Sequence, residues 1–254
     1  MSIDFEKDGF VLSLARDDDD VRAAQRLRYD VFVQELNGCG TGVDHVAKLE
    51  RDQFDDAADH LILRDSVNNE VIGAYRLMTD CNAQDVGGFY SEAEFDLTPL
   101  RNSGHRLLEL GRSCVRADHR SGPALFHLWT GLARYVAMTQ TDLLFGVASL
   151  PGTDLAALQT PLSLLHHKYR APKAVRVQSR QRHVLNLTDT EKLDARAAMV
   201  ALPPLVKSYL RLGARVGEGV FVDTAFQCTD VCMVMDVAAM NDRASSRYQR
   251  AAAK

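Results

Sequence analysis

The sequence predicts an α/β (α+β) fold with a mixed central β-sheet flanked by helices, and three stretches predict it. Residues 107–151 run as an apolar strand, a glycine-containing polar turn, a helix-period segment and a second apolar strand. That is the order of a crossover unit, which leaves a helix N-terminus at the mouth of the loop. His60-Leu-Ile-Leu-Arg64 and Glu70-Val-Ile-Gly-Ala-Tyr-Arg-Leu77 flank the turn Asp65-Ser-Val-Asn-Asn69 and read as an antiparallel hairpin. Residues 220–223 and 230–236 supply the strands that close the sheet.

Phe10-Val-Leu-Ser-Leu-Ala15 is the first strand, and Asp17 to Asp20 give an N-cap and negative charge to a helix over residues 21–36. Arg28 and Phe32 lie one turn apart on that helix, so they either face one ligand together or divide between surface and core. Asn37-Gly-Cys-Gly-Thr-Gly42 breaks the helix. Its glycine spacing fits neither a phosphate loop nor a dinucleotide fingerprint, and it reads as a flexible, lid-like loop. Glu50-Arg-Asp-Gln-Phe-Asp55 sets Glu50, Asp52 and Asp55 in a series too short for an EF-hand. It is either a solvated charged loop or a carboxylate cluster for an amine-bearing substrate. Arg76, near the end of the hairpin, is the candidate partner of these carboxylates. Residues 87–96 form a short capped helical piece anchored by Phe89, Tyr90 and Phe95, in which Phe89 either packs or lines a pocket.

In the strand that opens the central unit, Glu109 and Arg112 interrupt an apolar run. Burying a charge without a partner is expensive, so both are expected to be paired or functional. Positions three apart on a strand face opposite ways, and Gly111 between them is the place for a bulge that brings both onto one face and opens a cleft beside the strand. The helix over residues 124–140 then presents free N–H groups that suit a phosphate. Asp154 is expected to cap a helix through about residue 167, kinked at Pro161. Residues 171–184 carry Lys173, Arg176, Arg180, Arg182 and His183, as a solvated edge strand or as a docking face for an acidic protein. Residues 190–201 are polar and alanine-rich, and residues 203–213 read as a helix with proline at its start and glycine at its end. Residues 1–242 are expected to form one domain with a carboxy-terminal extension from about residue 171, and the cationic tail 243–254 is expected to be disordered.

Composition narrows the function. At 254 residues, 46% hydrophobic and with a net charge of −4, the chain is long enough for one large core and has no basic excess of the kind nucleic acid requires. The start Met1-Ser-Ile-Asp-Phe-Glu-Lys-Asp8 lacks the basic-then-apolar pattern of a secretion signal. No run approaches the roughly 18 apolar residues of a membrane span. The expectation is a cytoplasmic protein, with peripheral contact at the inner face of the membrane left open. The five cysteines (39, 81, 114, 228, 232) have no zinc-like pairing, and the adjacent His166 and His167 do not converge on one ion. No metal site and no bound cofactor are expected.

Arg28 and Phe32, then Glu50, Asp52 and Asp55, then Arg76, then Glu109 and Arg112 occur in an order that resembles the acyl-homoserine-lactone synthases, a branch of the GNAT-like acyl-CoA N-acyltransferase fold that uses acyl carrier protein. Longer blocks resemble a related family more closely. Gln25-Arg-Leu-Arg-Tyr-Asp-Val-Phe32, Gly88-Phe-Tyr-Ser-Glu-Ala-Glu-Phe-Asp96, Leu108-Glu-Leu-Gly-Arg-Ser-Cys-Val115, Ala148-Ser-Leu-Pro-Gly-Thr-Asp154, Leu202-Pro-Pro-Leu-Val-Lys-Ser-Tyr-Leu-Arg-Leu-Gly213 and Thr229-Asp-Val-Cys232 are similar to the ornithine N-alpha-acyltransferases that begin ornithine-lipid synthesis, along nearly the whole chain. Two departures stand out. The tryptophan of the lactone synthases falls here near Gly38, and the only tryptophan is Trp129. The phosphate-loop signature of acetyl-CoA-dependent relatives is replaced by His119-Arg-Ser-Gly122-Pro-Ala124.

The resemblance implies transfer of a 3-hydroxyacyl group from the phosphopantetheine thioester of acyl carrier protein to the alpha-amine of L-ornithine. It implies Glu109, and after it Glu50, as proton acceptor, and Arg28, Phe32, Asp52, Asp55, Arg76, Phe89 and Arg112 around the amino-acid substrate. It further implies Ser113, Cys114 and Val115 at the thioester and His119, Arg120, Gly122 and Ala124 at the phosphate of the arm. The competing expectations are a lactone-synthase-like enzyme, a non-catalytic GNAT-like binding module, and a purely structural charge network of Asp52, Asp55, Arg76 and Arg112.

Overall fold

The computed structural model describes residues 3–40, 42–120 and 122–240; the expected tail at 243–254 lies outside the described residues. The chain opens with the hairpin β1 (Phe5–Lys7) and β2 (Phe10–Leu14). Helix α1 (Asp18–Arg28) follows, and the side chain of Asp17 accepts from the Asp20 amide as the expected N-cap. The single helix expected to residue 36 is instead two windings. Tyr29–Glu35 continue as a π-helix, and this wider turn buries Tyr29, Val31 and Val33 on successive odd positions.

The glycine loop leads into a short hairpin, β3 (Val43–Asp44) and β4 (Leu49–Glu50). Gly42 is fixed there by close backbone approach, because a Cβ would lie 1.7 Å from the Arg51 carbonyl oxygen. This end of the expected lid is therefore pinned. The hairpin of β5 (Asp59–Asp65) and β6 (Val71–Thr79) forms where it was expected. Thr79 then caps α2 (Asp80–Asp85), which lacks apolar periodicity and was not anticipated. After β7 (Phe95–Asp96) and α3 (Thr98–Arg101) come β8 (Leu107–Val115), α4 (Ala124–Thr139) and β9 (Leu143–Pro151), as the strand, helix, strand reading requires.

Helix α5 (Gln159–Lys168) starts later than expected. Asp154 organises the turn before it, accepting from the Ala156 amide, and Pro161 sits in the first turn, where a missing N–H has no intrahelical acceptor to lose. The position therefore produces no mid-helix kink. Residues 171–184 are likewise not one edge strand. They form a 3-10 turn at Lys173–Val175 and the two-residue β10 (Gln178–Ser179). Next come α6 (Ala195–Ala201), capped by Asp194, and α7 (Pro204–Leu212), which ends at Gly213 with φ 106°. β11 (Arg215–Val216), β12 (Phe221–Asp223) and β13 (Cys228–Asp236) complete the chain.

These elements gather into two compact units. One comprises the described residues up to Phe89 together with Leu108–Thr141; the other comprises Tyr90–Leu107 and the described residues from Asp142. In the first, β1, β2, β5, β6 and β8 pair antiparallel in that order. Strand alternation gives the sheet two apolar faces. Ile62 and Ala74, paired across β5 and β6, pack with Ala24, Leu27 and Val31 of the first helical segment and with Cys114. Leu63 and Gly73, the next pair, face the other way, where Gly73 makes room for Leu128 of α4. Gly131 does the same from the helix side, since a Cβ there would approach Leu12 to 2.5 Å. In the second unit β9 and β13 pair antiparallel along all nine residues, and β11 and β12 pair with β13. Among the described residues no helix is long and apolar enough to cross a membrane.

Candidate active site

The ladder between β6 and β8 is interrupted where the sequence reading placed a bulge. Arg76 pairs with Gly111 and Ala74 with Cys114, so Tyr75 alone stands opposite Arg112 and Ser113. The left-handed backbone falls on Arg112, at φ 51°, one residue past the Gly111 where the bulge was expected. A non-glycine residue held there costs on the order of 1–3 kcal/mol, and it persists only where surrounding contacts fix it. The contacts are two ion pairs. Arg112 Nε donates to Glu50 Oε1 at 3.0 Å and its Nη2 to Asp52 Oδ2 at 2.9 Å.

Following those carboxylates outward closes a ring. The other oxygen of Glu50 accepts from Arg28 Nε, Arg28 Nη1 donates to Asp55 Oδ1 at 2.8 Å, Arg76 Nη1 donates to the same oxygen at 2.9 Å, and Arg76 Nη1 also donates to Asp52 Oδ1 at 2.5 Å. Three guanidinium groups and three carboxylates therefore alternate around one cycle with no net charge. Gln25, one turn before Arg28 on α1, donates to the second Asp55 oxygen at 2.9 Å. The ring is tilted toward solvent. Arg28, Glu50, Asp55 and Arg76 are at most 3% exposed in their side chains, whereas Arg112 is 13% and Asp52 19% exposed. Arg28 Nη2 is buried and, among the described residues, has no hydrogen-bond partner, so one charged donor of the ring is left unused.

Electrostatics follow from this wiring. Burial alone would raise the Asp55 carboxyl, but the charge and hydrogen bond of Arg28 and the charge of Arg76 hold it well below the usual carboxylate range. Arg28 is also buried, which works against its charge, yet Glu50 and Asp55 raise it. His60 Nε2 donates to the Asp55 carbonyl at 2.9 Å, and burial lowers the imidazole's pKa. Neither Gln25 nor His60 was singled out from the sequence as a supporting residue. The available signal was Gln25, a polar residue three positions before Arg28 on the same helix face.

The remaining candidates distribute as follows. Glu109 is 4% exposed, directly across from Met78 on β6. Phe32 is partly buried against the core cluster that holds Ala24 and Cys114, and Phe89 is 2% exposed. Ser113 and Val115 flank Cys114, which belongs to the core; burial pushes its thiol up to about 12. The bulge frees the local ladder at Arg112 and Ser113. Arg120 is held by Glu35 through both terminal nitrogens and by the Val115 carbonyl at 2.8 Å. His119 Nδ1 lies 2.7 Å from Asp118, and the Gly122 amide donates to the His119 carbonyl at 3.4 Å. Ala124 starts α4, whose first turn has neither a capping side chain nor an acidic residue.

The comparisons with known proteins agree with one another. The acetyltransferase (GNAT) domain family matches residues 27–130. The L-ornithine N(alpha)-acyltransferase of Rhodobacter capsulatus is 52% identical over 246 residues, covering 95% of this chain and 95% of that protein. The protein of the same description from Brucella abortus is 38% identical, over 90% of this chain and 83% of its own. Among solved structures, FeeM, an N-acyl amino acid synthase from uncultured soil microbes, matches with a TM-score of 0.52 over 91% of this chain and 92% of that one; at 12% identity this likeness speaks to the fold.

Proposed function

The chain belongs to the L-ornithine N(alpha)-acyltransferases, with the acyl-CoA N-acyltransferase fold, and from that premise we propose that it moves a 3-hydroxyacyl group from the phosphopantetheine thioester of acyl carrier protein to the alpha-amine of L-ornithine, yielding lyso-ornithine lipid as the first step of ornithine-lipid synthesis. The observation that carries this reading is the identity of 52% along 95% of both chains. The alternating charge ring gives it a chemical basis. An amino acid brings a carboxylate and, in ornithine, two amines, and a ring of fixed charges recognises such a zwitterion without reorganising.

In the proposed reaction the neutral alpha-amine attacks the thioester carbonyl, a C–N bond forms and the C–S bond breaks. The amine proton passes to a carboxylate, and the pantetheine sulfur leaves and is reprotonated. Free alpha-amines have pKa values near about 8, so a nearby base is needed at neutral pH. Glu109 takes that role first. Glu50 is second, because both of its oxygens already accept from guanidinium groups. The donor left over on Arg28 Nη2 and the solvent-facing Arg112 hold the ornithine carboxylate, and Asp52, the most exposed carboxylate of the ring, faces the side-chain ammonium. Asp55 and Arg76 orient these groups, with Phe32 and Phe89 supplying apolar surface. The backbone at Ser113, Cys114 and Val115 steadies the oxyanion, and the uncapped first turn of α4, with His119, Arg120, Gly122 and Ala124, takes the phosphate of the arm. The reaction belongs to the cytoplasm, with the lipid product released at the inner face of the membrane.

Incubating the purified protein with 3-hydroxyacyl carrier protein and ornithine, with homoserine-lactone precursors, or with no acceptor, and weighing the products by mass spectrometry, tests the reading. Acyl-ornithine formed only in the first mixture is expected; thiol release without acceptor-dependent product would overturn it.

A further inference from the structure

Residues 155–188 contain no aspartate or glutamate in a chain whose net charge is −4. They do contain Lys168, Arg170, Lys173, Arg176, Arg180 and Arg182. The structure converts the first four of these from a sequence bias into a surface. The segment after α5 is held against β11 and the residue pair beyond it by backbone hydrogen bonds: Val216 N to Tyr169 O, Ala171 N to Val216 O, Glu218 N to Val177 O and Ser179 N to Glu218 O, each 2.8 Å. Arg215 from β11 donates to the Lys168 carbonyl, and its guanidinium lies 5.9 Å from the Tyr169 ring. Glu218 is shared by Arg170, Arg176 and His166. Lys168, Arg170, Lys173, Arg176 and Arg215 thus share one backbone-fixed frame with that carboxylate. Lys168 and Lys173 are exposed and, among the described residues, enter no ion pair.

We propose that this face docks an acidic protein surface and, resting on the donor reading above, that the protein it docks is the acyl carrier protein. A rigid cluster with a net positive charge, five cations to the one carboxylate of Glu218, raises the rate of encounter with an acidic partner and fixes its orientation. A lipid surface fits less well. Stable attachment to a membrane needs apolar insertion beside the charges, and among the large hydrophobic side chains of residues 155–188 Val184 alone is exposed, too little for such insertion.

The test is the double variant Lys168→Glu with Lys173→Glu, neither of which, among the described residues, removes a side-chain hydrogen bond or ion pair. Its KM for 3-hydroxyacyl carrier protein is expected to rise roughly tenfold, with kcat kept, and to lose most of the salt dependence that the unaltered protein displays. Turnover of the same acyl group on free pantetheine is expected to stay unchanged. An unchanged carrier KM, or an equal loss with the free pantetheine thioester, overturns the proposal. So does unchanged carrier KM with lost binding to phosphatidylglycerol vesicles, which gives the face to the membrane. Calorimetric titration with carrier protein separates the two readings: if the unaltered protein makes no acyl-ornithine but binds carrier protein and the variant does not, the docking face stands while the ornithine reading falls.

Discussion

Glu109 and Cys114 lie five positions apart on β8, both buried, and their chemistry separates them. A buried carboxylate can take the proton-acceptor role proposed above; a thiol raised to about 12 has no thiolate to offer at neutral pH. Glu109→Gln keeps the shape and removes the acceptor, so kcat is expected to fall by about 10²- to 10⁴-fold with little change in the melting temperature. Full activity of that variant in a steady-state assay would take Glu109 out of the base role. Alkylation of the native protein near pH 7, followed by mass spectrometry, is expected to modify the exposed Cys39 and Cys81 and to leave Cys114 and Cys228 untouched. At this scale the sequence was informative because buried charges are so costly: Arg28, Glu50, Asp52, Asp55, Arg76 and Arg112 were all singled out, and Arg76 was matched to the acidic segment it joins. What could not be read was which donor meets which oxygen, since that depends on rotamers three elements apart.

Helix α4 shows how an element is fitted to its neighbours. Its 16 residues match the stretch expected from apolar periodicity to within one position, and its ending at Gln140 in the left-handed region is an ordinary helix stop. Its seat on the sheet depends on Gly131 and Gly73, where the space of one Cβ is already occupied by leucine side chains. Gly131→Val is therefore expected to destabilise by about 1–3 kcal/mol through overpacking, read as a lower melting temperature by calorimetry, while a glycine change at the open Gly152 edge would act only through its backbone conformation. The bulge on β8 was legible as a place but not as a geometry. Gly111 advertised conformational freedom, yet the strained backbone went to Arg112, because only Arg112 has carboxylates to hold it. The π-winding after α1 was hidden because its side chains fit a regular helix pattern. Asp154 and Pro161 were strong local signals placed in the wrong element, since a turn and the first turn of a helix use the same residues.

Across the whole molecule, three histidines, His60, His127 and His166, have pKa values lowered, with burial the first cause in each. The folded chain then takes up these protons only at a lower pH than the unfolded chain does. Stability is fully present above the ordinary histidine value near about 6.5 and is lost as pH falls below it. Asp55 is depressed too, and with the same sign: its contribution is fully present above the ordinary carboxylate range and is lost progressively as the pH falls through that range and beneath it. The melting temperature is expected to be flat near neutrality, to decline below about pH 6.5 as histidines charge, and to decline less steeply in His60→Gln; a rise on mild acidification would contradict the assignment. Fold class and family were legible at this scale because they rest on long blocks of sequence, whereas the basic face needed the pairing of residues 169–179 with 215–218 before scattered cations became one surface.

The six-membered cycle at the centre of the first unit also constrains descent. Removing one guanidinium, as in Arg76→Leu, takes one of two cationic partners from the buried Asp55 and from the partly buried Asp52 and is expected to destabilise by about 3–5 kcal/mol in denaturant titration, whereas Arg76→Leu combined with Asp55→Asn leaves an electroneutral open chain and should be milder than the sum of its parts. Lineages that drift at these positions must therefore replace adjacent members jointly, or inherit all six intact.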